Sequence, residues 1–207
     1  MSRTTGQPTV QGGLPVIPAR SIAPVELPAP PEHLAARAAD LLGWGGVMLP
    51  PMTLLGRRVV MVAELITDAH AERLALGCPP VTDRTTVSTW VWPELAGMVP
   101  APAVRLVGAI ALSRHWRTAL TSVVPFSRFT NTAVVVPSAV AEGDDFLANC
   151  LMRAGHYGVS VATAQDQGSV ELTLRGRPPQ DFPIEQEVTV RWLREVVYDR
   201  ILATTVS

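Results

Sequence analysis

Lysine is absent from this chain: all 17 basic residues are arginines. Without it there is no Schiff-base amine, no phosphate-loop lysine and no lysine general base. Arginine remains available for planar, two-point contacts to phosphate or carboxylate. Cysteine is nearly as scarce, since Cys78 and Cys150 stand alone and far apart, with no CxxC and no zinc spacing. Neither a disulfide framework nor a zinc module is expected, and two reduced thiols suit a reducing, cytoplasmic compartment. Net charge is −1, which argues against bulk attraction to nucleic acid or to a membrane. Apolar runs are broken by proline, glycine or arginine before they could span a bilayer, so no membrane association is expected. The start of the chain holds no basic stretch followed by an apolar one, so no secretory leader is expected. No glycine-rich phosphate loop or dinucleotide fingerprint occurs, and no cofactor is expected.

What the chain does have is apolar mass: 47% of its 207 residues are hydrophobic, enough to bury a sizeable core. Four regions follow from local composition. Residues 1–30 are Pro-rich and aperiodic, an extended or disordered arm that could dock on its own domain or on a neighbouring subunit. Residues 31–100 read as mainly helical, 101–178 as an α/β core, and 179–207 as a C-terminal amphipathic helix. In the second region, Pro31 to Gly43 makes a helix with Leu34, Ala38, Leu41 and Leu42 on one face. Paired glycines and prolines break residues 44–56. Residues 57–77 read as helix, in one piece or two, with Val62, Leu65, Ile66, Ala69 and Arg73 in one stripe. On that reading Glu64, Asp68 and Glu72 stack at i, i+4, i+8 beside His70, which is either a metal-binding face or a solvated one.

Residues 82–92 allow two readings, an alternating strand or a helix capped by Thr82 or Asp83. On the helical reading, "AERLALG…RTTVSTWV", within about residues 68–92, resembles the helix-turn-helix of DNA-binding regulators. It departs from that pattern in the long "CPPVTDRTT" linker. The later pattern is plainer. "AVRLVGAIALS" (103–113) is a strand, followed by a helix over 114–124 with Ser113 as N-cap and Trp116, Ala119, Leu120, Val123 and Val124 buried. "NTAVVVPS" (131–138) is a strand buried on both faces. A helix over 143–158 follows, burying Phe146, Leu147, Cys150, Leu151 and Ala154 and ending at Gly155. Strands at 159–164 and 169–176 form a hairpin. The fold class is therefore α/β: a mixed sheet with strand–helix–strand crossovers in the second half, a helical N-terminal part and a long C-terminal helix. That helix, about 184–203, carries Glu187–Arg191 and Arg191–Glu195 at i, i+4. Its apolar face spans Val188, Val190, Trp192, Leu193, Val196, Val197 and Ile201 and could pack on its own domain or join subunits.

The order "SRHWRTALTSVVPFSRFTNTAVVVPSAV" then "YGVSVATA" resembles the second half of the restriction-endonuclease-like, PD-(D/E)xK, nuclease fold. The resemblance covers about 70 residues and implies a metal-binding acid and a lysine on the strand before the helix, near Ala109 to Ala111. None of these positions is acidic and no lysine exists, so the resemblance implies a degenerate site without metal or cleavage. Arg105, Arg114, Arg117 and Arg128 flank the junction and are the candidate nucleic-acid contacts, or else pair with Glu94, Asp144 and Asp145. Ser113 and His115 lack hydrolase geometry, and His156 and Tyr157 belong to a helix end. The leading expectation is a non-catalytic regulatory or accessory protein that binds DNA or a partner. The rival is a structural protein, with the arm and C-terminal helix building a homo-oligomer or a phage-like particle. A third reading is a metal enzyme using Glu64, Asp68, His70 or Glu94.

Overall fold

A computed structural model describes residues 26–95, 97–179 and 188–205. The described residues form a seven-stranded mixed sheet with helices on both faces. In chain order the elements are α1 (Pro31–Leu42), β1 (Val47–Met48), β2 (Met52–Leu54), β3 (Arg57–Leu65), α2 (Thr67–Ala75) and α3 (Arg84–Thr89). There follow β4 (Val104–Leu112), α4 (Trp116–Val123), β5 (Asn131–Pro137), α5 (Ser138–Ala141), α6 (Met152–Tyr157), β6 (Ser160–Ala164), β7 (Val170–Leu174) and α7 (Val188–Thr205). The sheet runs β1-β3-β4-β5-β6-β7, with β2 also on β3. The β4–β5 and β5–β6 pairs are parallel and the rest antiparallel. That is the mixed α/β architecture expected for the second half, including the hairpin at its end.

Strand alternation sorts the core into two clusters. Val59, Met61, Ala109, Ala111, Val134, Val136 and Val161 face α4, α6 and α7. Val60, Val62, Ile110, Ala133, Val135 and Ala162 face α1. Both crossover helices bury into the same cluster, so they lie on one face of the sheet. On α1 the buried face includes Ala35 and Ala39 rather than Leu41, which is exposed. Leu27 and Ala29 pack beside α1; residues 1–25, most of the expected arm, lie outside the described residues.

The largest departure from the sequence pattern is residues 57–65, which form β3 and not the first half of a helix. Only Thr67–Ala75 is helical there. The cause is burial of Val59 to Ala63 on both faces. A doubly covered strand loses its alternation and becomes a continuous apolar run, which a helical stripe can also fit. The region 31–100 therefore supplies three strands to the same sheet as β4. Pro50 and Pro51 separate β1 from β2, two short pieces paired to one long strand. A two-residue turn, Leu55 (φ 50) and Gly56 (φ 70), joins β2 to β3. Both positive φ values match the tight hairpin turn that follows strand twist.

Residues 84–89 take the helical alternative, with Asp83 as N-cap accepting from Thr86 N at a carboxylate oxygen, 2.7 Å. At α4 the N-cap is His115, and Ser113 Oγ instead accepts from His115 N at 3.1 Å. The 143–158 helix contains a π-helical run, Phe146–Leu151, before α6. Its wider turn leaves Phe146 and Cys150 buried but puts Leu147 in solvent. The helix ends at Gly158 (φ 72), three residues beyond Gly155. At Gly108 a side chain has no room: a Cβ there would lie 2.3 Å from the Trp44 ring.

α7 packs on its own domain, burying Val190, Leu193, Val197, Tyr198 and Ile201. Glu187 lies outside the described residues. The expected Arg191–Glu195 surface pair is stretched to 4.0 Å, because Glu195 is fully buried and committed elsewhere. Its carboxylate takes Arg73 Nη1 and Nη2 at 2.7 and 2.8 Å, and Val81 N at 3.0 Å. Arg73 also donates to the carbonyls of Cys78 and Pro79. This buried two-point pair ties α7 to the end of α2.

Candidate functional site

The strand–helix junction at β4 and α4 forms because an apolar strand meets a polar break, "SRH", before the next apolar period begins. Trp116, Ala119, Leu120 and Val123 then bury the inner face of α4. The outer face and first turn are left with Arg114, Arg117, Thr118 and Ser122. Continuing the antiparallel register Val60↔Ile110 by two residues sets Arg58 beside Leu112. The start of β3 and the end of β4 thus share one end of the sheet. Arg57, Arg58 and Arg114 are all exposed there, and among the described residues none of them takes an ion pair or hydrogen bond.

The four arginines singled out by sequence do not converge. Arg105 and Arg114 flank β4 at opposite ends, about 30 Å apart at strand rise. Arg105 pairs with Glu64 of β3, not Glu94. Arg128 precedes β5 and stacks over Phe129 at 5.3 Å. Arg117 is in the first turn of α4, with its guanidinium 4.3 Å from the Trp116 ring and 2.9 Å from Asp145. Of the expected acidic partners, Asp145 alone serves this junction, accepting also from Trp116 Nε1 at 3.0 Å and Asn149 Nδ2 at 2.9 Å. Desolvation on its own would raise the Asp145 carboxyl, but these hydrogen bonds and the Arg117 charge together hold it below its ordinary value. Arg57 and Arg58 were not singled out in the sequence. Reading 57–65 as strand, paired to 103–113, would have placed them at this end.

The positions where the nuclease resemblance expects an acid and a lysine are sealed. Ala109 and Ala111 are 0% and 1% exposed and face the cluster beneath α4 and α7. A cavity of about 320 Å³ does open beside the junction, lined in part by Arg58, Ser113, Thr118 and Ser122 and by no carboxylate.

The stacked Glu64, Asp68 and Glu72 face does not exist, because Glu64 sits on β3 and the other two on α2. His70 Nδ1 is 2.8 Å from the Tyr198 hydroxyl, and Glu94 is exposed in a separate turn, Pro93–Leu95. Among the described residues no three His, Cys, Asp or Glu side chains are placed to hold a metal ion. Burial pushes the Cys150 thiol up to about 11, and the Asp145 charge adds to it, which favours the neutral thiol. α3, the second helix of the helix-turn-helix resemblance, has six residues, with Val87 buried and Arg84 held by Thr189 and the Trp192 ring of α7. No helix among the described residues is long and apolar enough to cross a membrane. Compared with known proteins, the chain matches no family model, no curated protein and no solved structure.

Proposed function

We propose that this chain is a non-catalytic nucleic-acid-binding protein, an accessory or regulatory subunit whose β3–β4–α4 end contacts phosphates. The observation that carries it is the gathering of Arg57, Arg58 and Arg114 at one end of the sheet, exposed and without an acidic partner among the described residues. Exposed guanidiniums free of protein partners are what phosphate contact requires. Arg117 stands beside them, already shared with Asp145, so it is a secondary contact. Arg105 and Arg128 lie too far along the sheet to join the same surface. The lining of the neighbouring cavity supports a reading without metal-assisted hydrolysis, which needs a cluster of anionic oxygens, because it offers hydroxyls and a guanidinium instead.

Fluorescence anisotropy of labelled DNA across a salt series tests this. Binding should weaken as salt rises, and replacing Arg58 and Arg114 together by Ala should reduce the slope of log K against log salt by about 1.8 on duplex, or about 1.4 on single strands. Failure to bind DNA or RNA even at low salt would overturn the proposal. An oligomer through α7 is the lesser reading, since only Asp199, Arg200, Ala203 and Thr204 of its described side chains are exposed.

A further inference from the structure

The cavity at the basic end has a lining that phosphate contact alone does not call for. Its accessible apolar lining is Leu112 at the end of β4 with Pro31 and Pro51 as walls, over the sealed Val60 and Ile110. Hydroxyls stand on one side. Ser113 Oγ accepts from His115 N, leaving its own proton to donate, and Ser122 Oγ donates to the Thr118 carbonyl, leaving lone pairs to accept. Thr118 Oγ1 has no protein partner among the described residues. Arg58 lines the same cavity, and Arg114 follows Ser113 directly.

A phosphate backbone needs only charge on an open surface. An apolar slot with a few hydroxyls and a guanidinium at its mouth suits a flat, heteroaromatic group attached to an anion. A base in a duplex is stacked and paired and cannot enter such a slot, whereas one in a single strand, at a frayed end or flipped out can. We infer that this cavity takes one unstacked nucleotide, its base against Leu112 and the two prolines and its phosphate on Arg58 and Arg114. The protein then prefers single-stranded or frayed nucleic acid to intact duplex. This inference rests on the phosphate-binding reading above.

The test compares a short labelled single strand with its blunt duplex at one salt concentration, using the full chain. The single strand should bind about tenfold tighter, the effect of burying about 55 Å² of apolar surface. Thr118→Met fills the slot from an exposed position on α4 without changing charge or adding an aromatic face, and Ser122→Leu narrows it by a second route. Each should bring the preference close to unity while leaving duplex affinity unchanged. Equal affinity of the wild type for both probes, with binding still dependent on Arg58 and Arg114, overturns the nucleotide slot and leaves the phosphate reading standing. So does a preference that survives both filled variants. No binding to either probe overturns both.

Discussion

Arg73 and Arg114 show two opposite uses of one side chain. Arg73 is 2% exposed, and its donors are consumed by Glu195, Cys78 and Pro79, with the Tyr198 ring 4.9 Å away. Arg114 is exposed and engages nothing among the described residues. In a chain without lysine, arginine must serve both as internal clamp and as surface charge. What separates the roles is whether the donors are already used. A guanidinium with all its hydrogen bonds made inside the fold has nothing left for a ligand, however well placed its charge.

The contrast is broken most directly at Glu195. Replacing Glu195 by Ala strands a buried guanidinium, and the cost should be about 3–5 kcal/mol, read as a fall in the urea midpoint. Replacing the pair together, Arg73→Met with Glu195→Leu, should cost much less, because no charge is left unpaired. An unchanged midpoint for Glu195→Ala would mean that the pair is not the clamp between α2 and α7. Around it, Arg191 is already pressed below its ordinary pKa by burial, against the pull of Glu195, so removing the carboxylate leaves a second cation short of a partner.

Those two arginines also show what the sequence could reveal. α4, the β6–β7 hairpin and α7 were legible because they carry apolar positions at the spacing of their true structure, and β5 because it is a short unbroken apolar run bounded by Asn131 and Pro137. β3 was not: like β5 it is covered on both faces and has no period to read, but it runs into α2 with only Ile66 between, and Val62, Leu65, Ala69 and Arg73 happen to fit one continuous helix. That one error hid the candidate site. Arg57 and Arg58 looked like the start of a surface helix, and only sheet register brings Arg58 to the end of β4. Arg73 was legible as part of one stripe with Val62, Leu65, Ile66 and Ala69, but its partner Glu195 was read only as the i, i+4 mate of Arg191. Nothing local announces a carboxylate whose partner lies far away in the chain. The π-helical run was illegible for the same reason: its residues suit an ordinary helix, and packing of Phe146 and Cys150 decides the turn.

Arg117 lies between the extremes, and acid should move it toward the exposed class. Asp145 has a lowered pKa in the folded chain, so its contribution to stability is present above its unfolded pKa. It is lost as pH falls through the lowered folded value. Thermal unfolding followed down through the acidic carboxylate range should show this loss, and Asp145→Asn should flatten it. The same variant removes the anion that competes for Arg117, so salt-dependent DNA affinity at neutral pH should rise modestly. Weaker binding in Asp145→Asn would place Arg117 outside the contact surface and restrict that surface to Arg57, Arg58 and Arg114.

The smallest expected effect is the most discriminating. Arg114→Ala removes a side chain with no partner to lose among the described residues, so stability should change by no more than about 0.5 kcal/mol. Its effect on nucleic-acid binding should still be visible, as a salt slope shallower by about 0.9 on duplex or about 0.7 on a single strand. Stability and binding thus separate at Arg114, whereas at Arg73 any loss of binding would follow from loss of the fold. If Arg114→Ala destabilised the chain as Glu195→Ala does, its guanidinium would be serving the fold, and the basic end would lose the residue that most clearly has charge to spare for a ligand.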